Sequence, residues 1–193
     1  PLSNETLTHI FQEIMSGCKK KKKVLTIAFL GPAGTYSQTA VHNRFGHAAK
    51  ILPLPTIDEV FREVEANNAN YGVVPIENST EGGVNQTLDC LIKTTLKICG
   101  EIELPIHHHL LSMVHELQEI NCIYAHQQAL AQCHLWLNTH LPIIKRVAVN
   151  SNAEAARLAT KETGAAAIAG ETAAEIYHLK ILAEHIADHP NNT

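Results

Sequence analysis

One stretch of the chain ends a predicted strand in a cluster of small polar side chains. The apolar run Tyr71–Ile76 is rich in β-branched residues, as is typical of an interior strand of a parallel sheet. Asn78, Ser79 and Thr80 follow it, and the glycine pair at 82–83 allows backbone amides to approach a ligand closely before a predicted helix begins. Hydroxyl, carboxamide and backbone N–H donors in this arrangement predict a site that binds an anion.

A second turn with the same chemistry comes earlier in the chain. The segment 25–30 predicts a strand, and the glycine-bearing turn 31–37 opens a predicted helix. Thr35, Tyr36 and Ser37 on this turn are candidate substrate-binding residues. Taken singly, a serine at such a position is more often a helix N-cap than a ligand contact.

Two further polar turns follow predicted strands in the second half of the chain. In open α/β sheets, ligands collect at the carboxyl ends of strands, so four polar turns that end four strands favour a shared substrate site over four separate helix caps. The remaining predicted substrate-binding residues are Gly83, Gln128, Ser151, Asn152 and Ala153, with Gln127 as an alternative to Gln128.

Glu77 and the histidines are the titratable candidates. Glu77 is a candidate proton donor if it is buried, but an acceptor that braces its own loop is the favoured interpretation. His107, His108 and His109 are consecutive on a predicted strand, so alternate rings point to opposite faces and the three cannot converge on one ion. We therefore predict no metal site and no cofactor.

The motifs together resemble one enzyme family. Five segments carry the resemblance: 28–37, 73–79, 124–128, 150–156 and 188–192. They are similar to prephenate dehydratase, which converts prephenate to phenylpyruvate in phenylalanine biosynthesis. The resemblance implies a carbon–oxygen lyase that binds prephenate, assembles as a homodimer or a larger homo-oligomer, and uses Asn78, Ser79 and Thr80 in catalysis.

The chemistry of this reaction suits the donors that the turns supply. Prephenate carries two carboxylates and a ring hydroxyl, and it loses carbon dioxide and water together as its ring becomes aromatic. The protein must hold the side-chain carboxylate and donate a proton to the departing hydroxyl without over-stabilising the ring carboxylate that leaves. A bidentate arginine on that ring carboxylate would favour the ground state, whereas neutral hydroxyls, carboxamides and helix N-termini would not.

The C-terminal residues of the sequence are relevant to the identity of the proton donor. In the resembled family a Thr-Arg-Phe motif near the end of the catalytic domain supplies an essential threonine, whereas this sequence ends in Asn-Asn-Thr193. The family's usual spacing places Thr193 just before that threonine, and a shorter spacing would make Thr193 the threonine itself. We expect a dehydratase domain that is truncated at its C-terminus, with its activity impaired by the missing Thr-Arg-Phe segment and with no phenylalanine-sensing ACT domain.

The first 23 residues are predicted to be a separate segment. Leu7, Ile10, Phe11 and Ile14 have helical spacing, and this helix resembles the last helix of a chorismate mutase domain. The lysine run 19–23 is interpreted as a solvated linker rather than a phosphate or nucleic-acid site. Residues 1–23 would thus be a remnant of a fused chorismate mutase-like domain with its linker.

Alternating strands and helices from residue 24 onward predict an α/β fold. An extended run from 97 to 113, broken by Pro105, is too long for one strand and suits a crossover between two lobes. We expect two lobes of mostly parallel sheet flanked by helices, as in type II periplasmic binding proteins, with the ligand in a cleft between them. Lobe one would span about 24–103 and 183–193, and lobe two about 104–182.

Composition argues against several other classes. The net charge of −4 predicts no nucleic-acid binding, and no apolar run approaches the length of a transmembrane helix. Together with the lack of signal-peptide features, this indicates a cytoplasmic protein. Five cysteines without a close Cys-x-x-Cys pair argue against a disulfide framework and a zinc site. Two alternatives stay open: a non-catalytic two-lobed module that binds a small anion or an amino acid, and an arogenate dehydratase.

Overall fold

The computed structural model describes residues 24–79, 82–189 and 193, together with Thr6, Ile10, Phe11, Glu13 and Ile14. The described chain divides into two compact units. The first contains the described residues up to Gly31 and Ser37–Leu104, and the second contains Pro32–Tyr36 and the described residues from Pro105 onward. The boundary after Leu104 lies one residue from the predicted position.

Three parallel strands form the sheet of the first unit. They are β1 (Thr26–Leu30), β2 (Lys50–Leu54) and β3 (Tyr71–Val73), in the order β2-β1-β3. The helices are α1 (Tyr36–Phe45), α2 (Ile57–Glu65) and α3 (Asn85–Lys93). A short antiparallel hairpin, formed by β4 (Glu77–Asn78) and β5 (Gly82–Gly83), lies between β3 and α3 in the chain.

Side chains alternate along β1, which explains why helices cover both faces of this sheet. Ile27 and Phe29 are fully buried on one face, where they pack with Val41 of α1. Ala28 is fully buried on the other face, where it packs with Val60 of α2. A strand that is buried on both faces requires a continuous apolar run, which is the pattern of this segment.

β3 differs from the interior strand that its sequence predicts. It pairs only with β1, at the edge of the described sheet, and it ends at Val73 rather than at Ile76. Tyr71 and Ile76 are exposed, at 37% and 47% of their full surface. The prediction of an interior strand is therefore wrong, because the chain leaves the sheet after Val73 and turns into the β4–β5 hairpin.

A five-stranded mixed sheet forms the centre of the second unit. Its strands are β6 (His109–Ser112), β7 (Cys122–His126), β8 (Lys145–Val149), β9 (Ala165–Ala169) and β10 (Lys180–Ala183), in the order β10-β6-β9-β7-β8. β7 is parallel to both β8 and β9, whereas β6 is antiparallel to both of its neighbours. The helices are α4 (Gln127–Gln132), α5 (His134–His140), α6 (Asn152–Ala159) and α7 (Glu171–Tyr177), with a 3₁₀ turn at Leu117–Glu119.

β9 lies at the centre of this sheet and consists of alanine and isoleucine. All five of its residues are buried. Ile168 packs in a core that contains Ile123 and Leu137, whereas Ala167 packs in a second core built mainly from alanines of α6 and α7. The small side chains let these two helices lie close to the sheet at the density typical of protein interiors.

The sequence predicts one helix over 128–138, and the structure contains two. α4 ends at Gln132 and α5 begins at His134, with Cys133 between them at φ −111° and ψ 15°. Asp188 occupies this break: its N–H donates to the carbonyl oxygen of Gln132 (2.7 Å), and its carboxylate accepts hydrogen bonds from the first turn of α5. A partner so distant in sequence leaves no trace in the helical periodicity.

The segment after β10 stays in the second unit. β10 pairs with β6, and Ile186 is fully buried in the core beside Leu110. The N–H of Ile186 also donates to the carbonyl oxygen of His108 (2.9 Å). The predicted return of residues 183–193 to the first lobe is therefore wrong for residues 183–189.

The predicted α/β class is confirmed, with sheets rich in parallel pairs and flanked by helices. The extended run 97–113 contributes only β6 to a sheet, since residues 94–108 form neither helix nor strand. Ile10, Phe11 and Ile14 are helical and exposed, while Leu7 lies outside the described residues. Within the described part of the chain, no helix is long and apolar enough to cross a membrane.

Candidate functional site

The β4–β5 hairpin carries the first group of predicted site residues. Glu77 pairs with Gly83, and Asn78 pairs with Gly82. Asn78 is half-buried and Ser79 is exposed at the turn. The hairpin thus presents a carboxamide and a hydroxyl at the surface of the first unit.

One of the two hairpin glycines is required by its backbone conformation. Gly82 has a φ of +82°, in the left-handed region that favours glycine. Among the described residues, a Cβ at Gly82 would meet nothing within 4 Å, and a Cβ at Gly83 would meet Leu88 at 3.8 Å. This uncrowded backbone permits the close approach of a ligand that the sequence predicts.

The base of the hairpin is anchored to α3. Thr87 is fully buried, and its hydroxyl donates to the carbonyl oxygen of Pro75 (2.6 Å). Gln86 and Cys90, also on α3, both donate to the carboxylate of Asp58 on α2. The hydrogen bond from Gln86, and then that from Cys90, lowers the pKa of Asp58. α3 is therefore tied both to the end of β3 and to α2.

The N-terminus of α3 directly follows the hairpin and has no side-chain cap. Val84 occupies the N-cap position and has no side-chain acceptor. The N–H groups of a first helical turn lack partners within their own helix, and they carry the positive end of the helix dipole. The N–H of Thr87 already donates to the carbonyl oxygen of Val84 (3.0 Å), so the N–H groups of Asn85 and Gln86 are the backbone donors that this turn adds to the carboxamide and hydroxyl of the hairpin. Such a set of neutral donors suits an anion.

The proton-donor candidates are the least supported part of the predicted site. Glu77 is exposed, so the burial on which its role as a donor depends is not met. Thr80 lies outside the described residues. Thr193 is described and exposed, but residues 190–192 before it are not described, and its role stays a prediction.

The turn after β1 is bonded into the second unit by two tyrosines. The Tyr36 hydroxyl donates to the carbonyl oxygen of His107 (2.7 Å) and lies 3.0 Å from Nδ1 of His108. The Tyr177 hydroxyl donates to the carbonyl oxygen of Ala33 (3.2 Å). Burial raises the pKa of Tyr36, so its hydroxyl keeps its proton. These contacts favour an anchoring role for Tyr36 over the substrate contact that the sequence predicts.

Close packing explains the glycine in the middle of this turn. Gly34 has a φ of +89°, and a Cβ there would lie 3.1 Å from the Tyr177 ring and 3.5 Å from Cβ of Ala153. Ala153 is itself fully buried at the start of α6. The Thr35 hydroxyl donates to the carbonyl oxygen of Pro32 (3.1 Å), which folds the turn on itself. Ala153 thus contributes packing, and its side chain is not accessible to a ligand.

Ser151 and Asn152 connect the ends of β7 and β8. The Asn152 carboxamide oxygen accepts from the N–H of His126 at the end of β7 (2.9 Å). The Ser151 hydroxyl oxygen accepts from the N–H of Glu154 (3.0 Å) and caps α6. The helix-cap interpretation therefore holds for Ser151, whereas Asn152 has a carboxamide nitrogen that can donate to a ligand.

The two predicted glutamines lie on the first turn of α4. His126 caps this helix, because its Nδ1 accepts from the N–H of Gln128 (3.4 Å). Gln127 is exposed and Gln128 is half-buried. Both side chains therefore lie at the carboxyl end of β7, where the sequence places them.

Each unit holds part of the predicted set of site residues. In the first unit the Asn78 group follows β3, and in the second unit the Ser151 group follows β8. Both groups lie at carboxyl ends of strands in parallel pairs, where α/β sheets bind ligands. The first unit holds Ser37, Glu77, Asn78, Ser79 and Gly83, and the second holds Thr35, Tyr36, Gln127, Gln128, Ser151, Asn152 and Ala153.

The three consecutive histidines alternate in direction, as the sequence predicts. The rings of His107 and His109 both contact the ring of His185, with centroids 4.6 and 5.0 Å apart. His108 has different partners, Tyr36 and Gln132. Among the described residues, no group of three or more histidine, cysteine, aspartate or glutamate side chains could hold a metal ion.

Sequence reasoning missed the environment of His108. It is buried, with Nε2 lying 2.7 Å from Oε1 of Gln132 and Nδ1 facing the Tyr36 hydroxyl. Burial lowers the pKa of His108, which favours the neutral imidazole. The sequence shows a histidine next to an apolar strand, but it does not show which distant groups meet the two ring nitrogens.

Sequence comparison assigns the chain to a family. The family model described as prephenate dehydratase matches residues 27–193. The chain belongs to the prephenate dehydratase family. It is 52% identical over 194 residues to a bifunctional chorismate mutase/prephenate dehydratase of Stutzerimonas stutzeri, with 100% of this chain and 53% of that protein covered. A protein of the same name from Neisseria gonorrhoeae is 53% identical over 196 residues, covering 100% of this chain and 54% of that protein.

A solved prephenate dehydratase has a similar structure. The crystal structure of the enzyme from Arthrobacter aurescens in complex with L-Phe matches with a TM-score of 0.79 at 36% identity, covering 86% of this chain and 57% of that one. The present chain spans about half the length of the curated relatives it matches. The resemblance to prephenate dehydratase that the motifs indicate is thus confirmed.

Proposed function

We propose that the protein catalyses the decarboxylative dehydration of prephenate to phenylpyruvate. One observation carries the proposal: the prephenate dehydratase family model matches residues 27–193, which is nearly the whole chain. The bifunctional relatives also align with the whole chain, which supports a second proposal. Residues 1–23 would come from the end of a fused chorismate mutase-like domain and its linker.

The donors around the hairpin suit this substrate. The Asn78 carboxamide, the Ser79 hydroxyl and the N–H groups of Asn85 and Gln86 at the start of α3 can donate to a carboxylate oxygen. None of these donors carries a full positive charge. They can therefore hold a carboxylate of prephenate without the strong ground-state stabilisation that a bidentate arginine would give to the carboxylate that leaves.

The proposed reaction is a single elimination. The bond between the ring carbon and its carboxylate carbon breaks, and its electron pair enters the ring as carbon dioxide departs. The carbon–oxygen bond to the ring hydroxyl breaks at the other side of the ring, and the leaving hydroxide takes up a proton to become water. We propose that the hydroxyls of Ser79 and Thr80 assist this departure, with Asn78 orienting the substrate, and that Glu77 and Thr193 are the next candidates.

The substrate-binding assignments are part of the same proposal. Asn152 retains a carboxamide donor, and the glutamines of α4 lie at the carboxyl end of β7. Gly83 lies in the uncrowded hairpin backbone. The proposed substrate contacts are therefore Thr35, Ser37, Gly83, Gln127 or Gln128, and Asn152, whereas Tyr36, Ser151 and Ala153 support the turns that carry them.

The proposal extends to location and assembly. The four described cysteines, Cys90, Cys99, Cys122 and Cys133, are free thiols, as is usual in a reducing compartment. We therefore propose that the protein works in the cytoplasm. We also propose that it forms a homodimer or a larger homo-oligomer, and the exposed apolar side chain of Leu135 beside Trp136 on α5 supports an interface there.

The test is a turnover assay on the protein at its natural length. Prephenate is supplied at increasing concentration and phenylpyruvate is measured by its absorbance in alkali, with arogenate in a parallel series. Saturable formation of phenylpyruvate from prephenate supports the proposal. Saturable binding of prephenate without turnover would identify a non-catalytic binding module, and faster turnover of arogenate would identify an arogenate dehydratase.

A further inference from the structure

Four residues that are far apart in sequence form a continuous hydrogen-bonded chain in the second unit. The Tyr36 hydroxyl lies 3.0 Å from Nδ1 of His108, and Nε2 of His108 lies 2.7 Å from Oε1 of Gln132. The carbonyl oxygen of Gln132 accepts from the N–H of Asp188 (2.7 Å). These hydrogen bonds connect the turn after β1 to the segment 186–188.

One protonation state of His108 satisfies all of these contacts. Oε1 of Gln132 can only accept, so Nε2 of His108 carries the hydrogen. Nδ1 then has a lone pair that faces the Tyr36 hydroxyl, whose single hydrogen is shared between Nδ1 (3.0 Å) and the carbonyl oxygen of His107 (2.7 Å). The buried position of His108 favours this neutral form of the ring.

The main chain of His108 reinforces the same connection. Its carbonyl oxygen accepts from the N–H of Ile186 (2.9 Å), and Ile186 is fully buried. The Asp188 carboxylate accepts from the N–H groups of Leu135 (3.0 Å) and Trp136 (3.1 Å). The segment 186–188 is therefore held by His108 on one side and by the α4–α5 break on the other.

The turn after β1 has little freedom once Tyr36 is in place. The Tyr36 ring packs on the backbone of Gly170, where an added Cβ would lie only 2.8 Å from Cε1. Thr35 and Ser37, two proposed substrate contacts, are its immediate neighbours in the chain. The positions of both therefore depend on where the Tyr36 hydroxyl is held.

We propose that His108 is a positioning residue for this turn. Through Tyr36 it fixes the backbone that carries Thr35 and Ser37, and through Gln132 it ties this turn to the segment 186–188. The expected effect on turnover rests on the proposed function, but the positioning itself does not. His108 acts through Tyr36 and not by touching the substrate.

Turnover of prephenate by four variants tests the kinetic part of this proposal. Removing the hydroxyl alone, in Tyr36→Phe, should lower kcat about fivefold to tenfold, the effect of one lost buried hydrogen bond. His108→Ala should lower kcat about tenfold to a hundredfold, because a small misplacement of positioned groups slows the reaction by that order. The double variant should be slower than His108→Ala by less than the full effect of Tyr36→Phe, because the two changes share one link and only the bond to the carbonyl oxygen of His107 is left for Tyr36→Phe to remove. His108→Gln retains a donor and an acceptor and should recover part of the loss.

Two exposed residues that take no part in the contacts among Tyr36, His108 and Gln132 serve as matched controls. Tyr71→Phe removes a tyrosine hydroxyl from β3, and His140→Ala removes an imidazole from the exposed end of α5. Both should leave kcat within about twofold of the parent, as is usual for surface substitutions. Losses that multiply in the Tyr36→Phe/His108→Ala double variant would overturn the proposal, because they would show that the two residues act independently.

Hydrogen exchange measured by mass spectrometry tests the positioning without any substrate. Faster exchange in peptides covering 31–37 is expected in Tyr36→Phe, and faster exchange in both 31–37 and 184–189 is expected in His108→Ala. Unchanged exchange in both variants would overturn the proposal. If the parent protein does not turn over prephenate, the proposed function fails, and the exchange result still decides whether His108 positions the turn.

Discussion

The hydroxyl of Thr87 donates a 2.6 Å hydrogen bond to the carbonyl oxygen of Pro75. Thr87 is fully buried on α3, and Pro75 lies just before the β4–β5 hairpin. A second bond, from the N–H of Val84 to the carbonyl oxygen of Ile76 (2.8 Å), closes the hairpin at the same place. The start of α3 therefore sets the position from which Asn78 and the following turn project.

The first prediction concerns this buried hydroxyl. Thr87→Val keeps the shape of the side chain but leaves the Pro75 carbonyl without its donor, and we expect the free energy of unfolding to fall by about 1–3 kcal/mol. Urea unfolding measures the change. Thr139→Val is the matched control, because its hydroxyl bonds to the carbonyl oxygen of Leu135 on an exposed part of α5. Equal stability of Thr87→Val and the parent would show that this bond does not hold the base of the hairpin.

The second prediction concerns the hairpin donors. Asn78→Ala or Ser79→Ala should lower the kcat for prephenate by about a hundredfold to a thousandfold, the usual effect of removing one preorganised donor. Thermal unfolding should be little changed, since Ser79 is exposed and Asn78 only half-buried. Asn68→Ala, at an exposed loop of the same unit, is the control. Turnover within a factor of two of the parent would remove both residues from the site.

Much of the first unit could be predicted because its order is local. The apolar run of β1 and the turn after it determine a buried strand followed by a helix. The N-terminus of α2 is equally local, because the side-chain oxygen of its N-cap Thr56 accepts from the N–H of Glu59 (3.3 Å). These features depend on residues within a few positions of one another, which a sequence displays directly.

Other features of the structure could not be predicted, because they depend on contacts between residues that are far apart in the sequence. The break between α4 and α5 is occupied by Asp188, and the direction of the Tyr36 side chain is set by His107 and His108, more than 70 positions away. Ser151 shows a different limit. The same hydroxyl can cap a helix or bind a ligand, so its chemistry alone could not decide between the two, and its bond to the N–H of Glu154 favours the cap.

The third prediction concerns the Asp188 carboxylate at the N-terminus of α5. It accepts from the N–H groups of Leu135 and Trp136 at the positive end of the helix dipole. Asp188→Asn keeps an acceptor but loses the charge, and should lower the free energy of unfolding by about 0.3–1 kcal/mol. Asp188→Ala loses the cap as well and should lower it by about 0.5–2 kcal/mol. Urea unfolding of both variants is the measurement, and Asp89→Asn on the exposed face of α3 is the control. If Asp188→Ala is as stable as the parent, Asp188 does not cap α5.

The fourth prediction concerns pH. Burial lowers the pKa of His108 and of His109 below their ordinary value of 6.5. The unfolded chain then binds these protons more readily than the folded one, so stability is full above the unfolded pKa and is lost as the pH falls toward the folded pKa. We expect the free energy of unfolding to decrease between about pH 7 and pH 5, by up to about 1.4 kcal/mol per pH unit for each histidine.

His108→Gln isolates one of these two contributions. The groups that face His108 are the Tyr36 hydroxyl, the Gln132 carboxamide and the neighbouring His107. Urea unfolding at a series of pH values should give a shallower slope for His108→Gln than for the parent. An identical slope in the His108 variant would mean that His108 binds its proton equally well in the folded and unfolded chains.

The last prediction concerns Gly170, whose backbone faces the Tyr36 ring. A Cβ at this position would lie 2.8 Å from Cε1 and 3.3 Å from Cζ of Tyr36, so the ring has to move in Gly170→Ala. Gly170 has a φ of −85°, which alanine adopts without strain, and the obstructing atoms belong to a side chain rather than to backbone. The free energy of unfolding should therefore fall by about 1–3 kcal/mol, the cost of the hydrogen bonds that the displaced Tyr36 hydroxyl loses, with no added backbone strain.

The displaced ring carries the Tyr36 hydroxyl away from His107 and His108, and kcat should fall about as far as in Tyr36→Phe. Adding Gly170→Ala to Tyr36→Phe should then have little further effect, because the bond is already absent. Gly100→Ala is the control, since the one described side chain that a Cβ there would meet is Arg44, at 3.8 Å. A Gly170→Ala protein with the kcat of the parent would show that the turn after β1 tolerates movement of Tyr36, and that Thr35 and Ser37 do not depend on it.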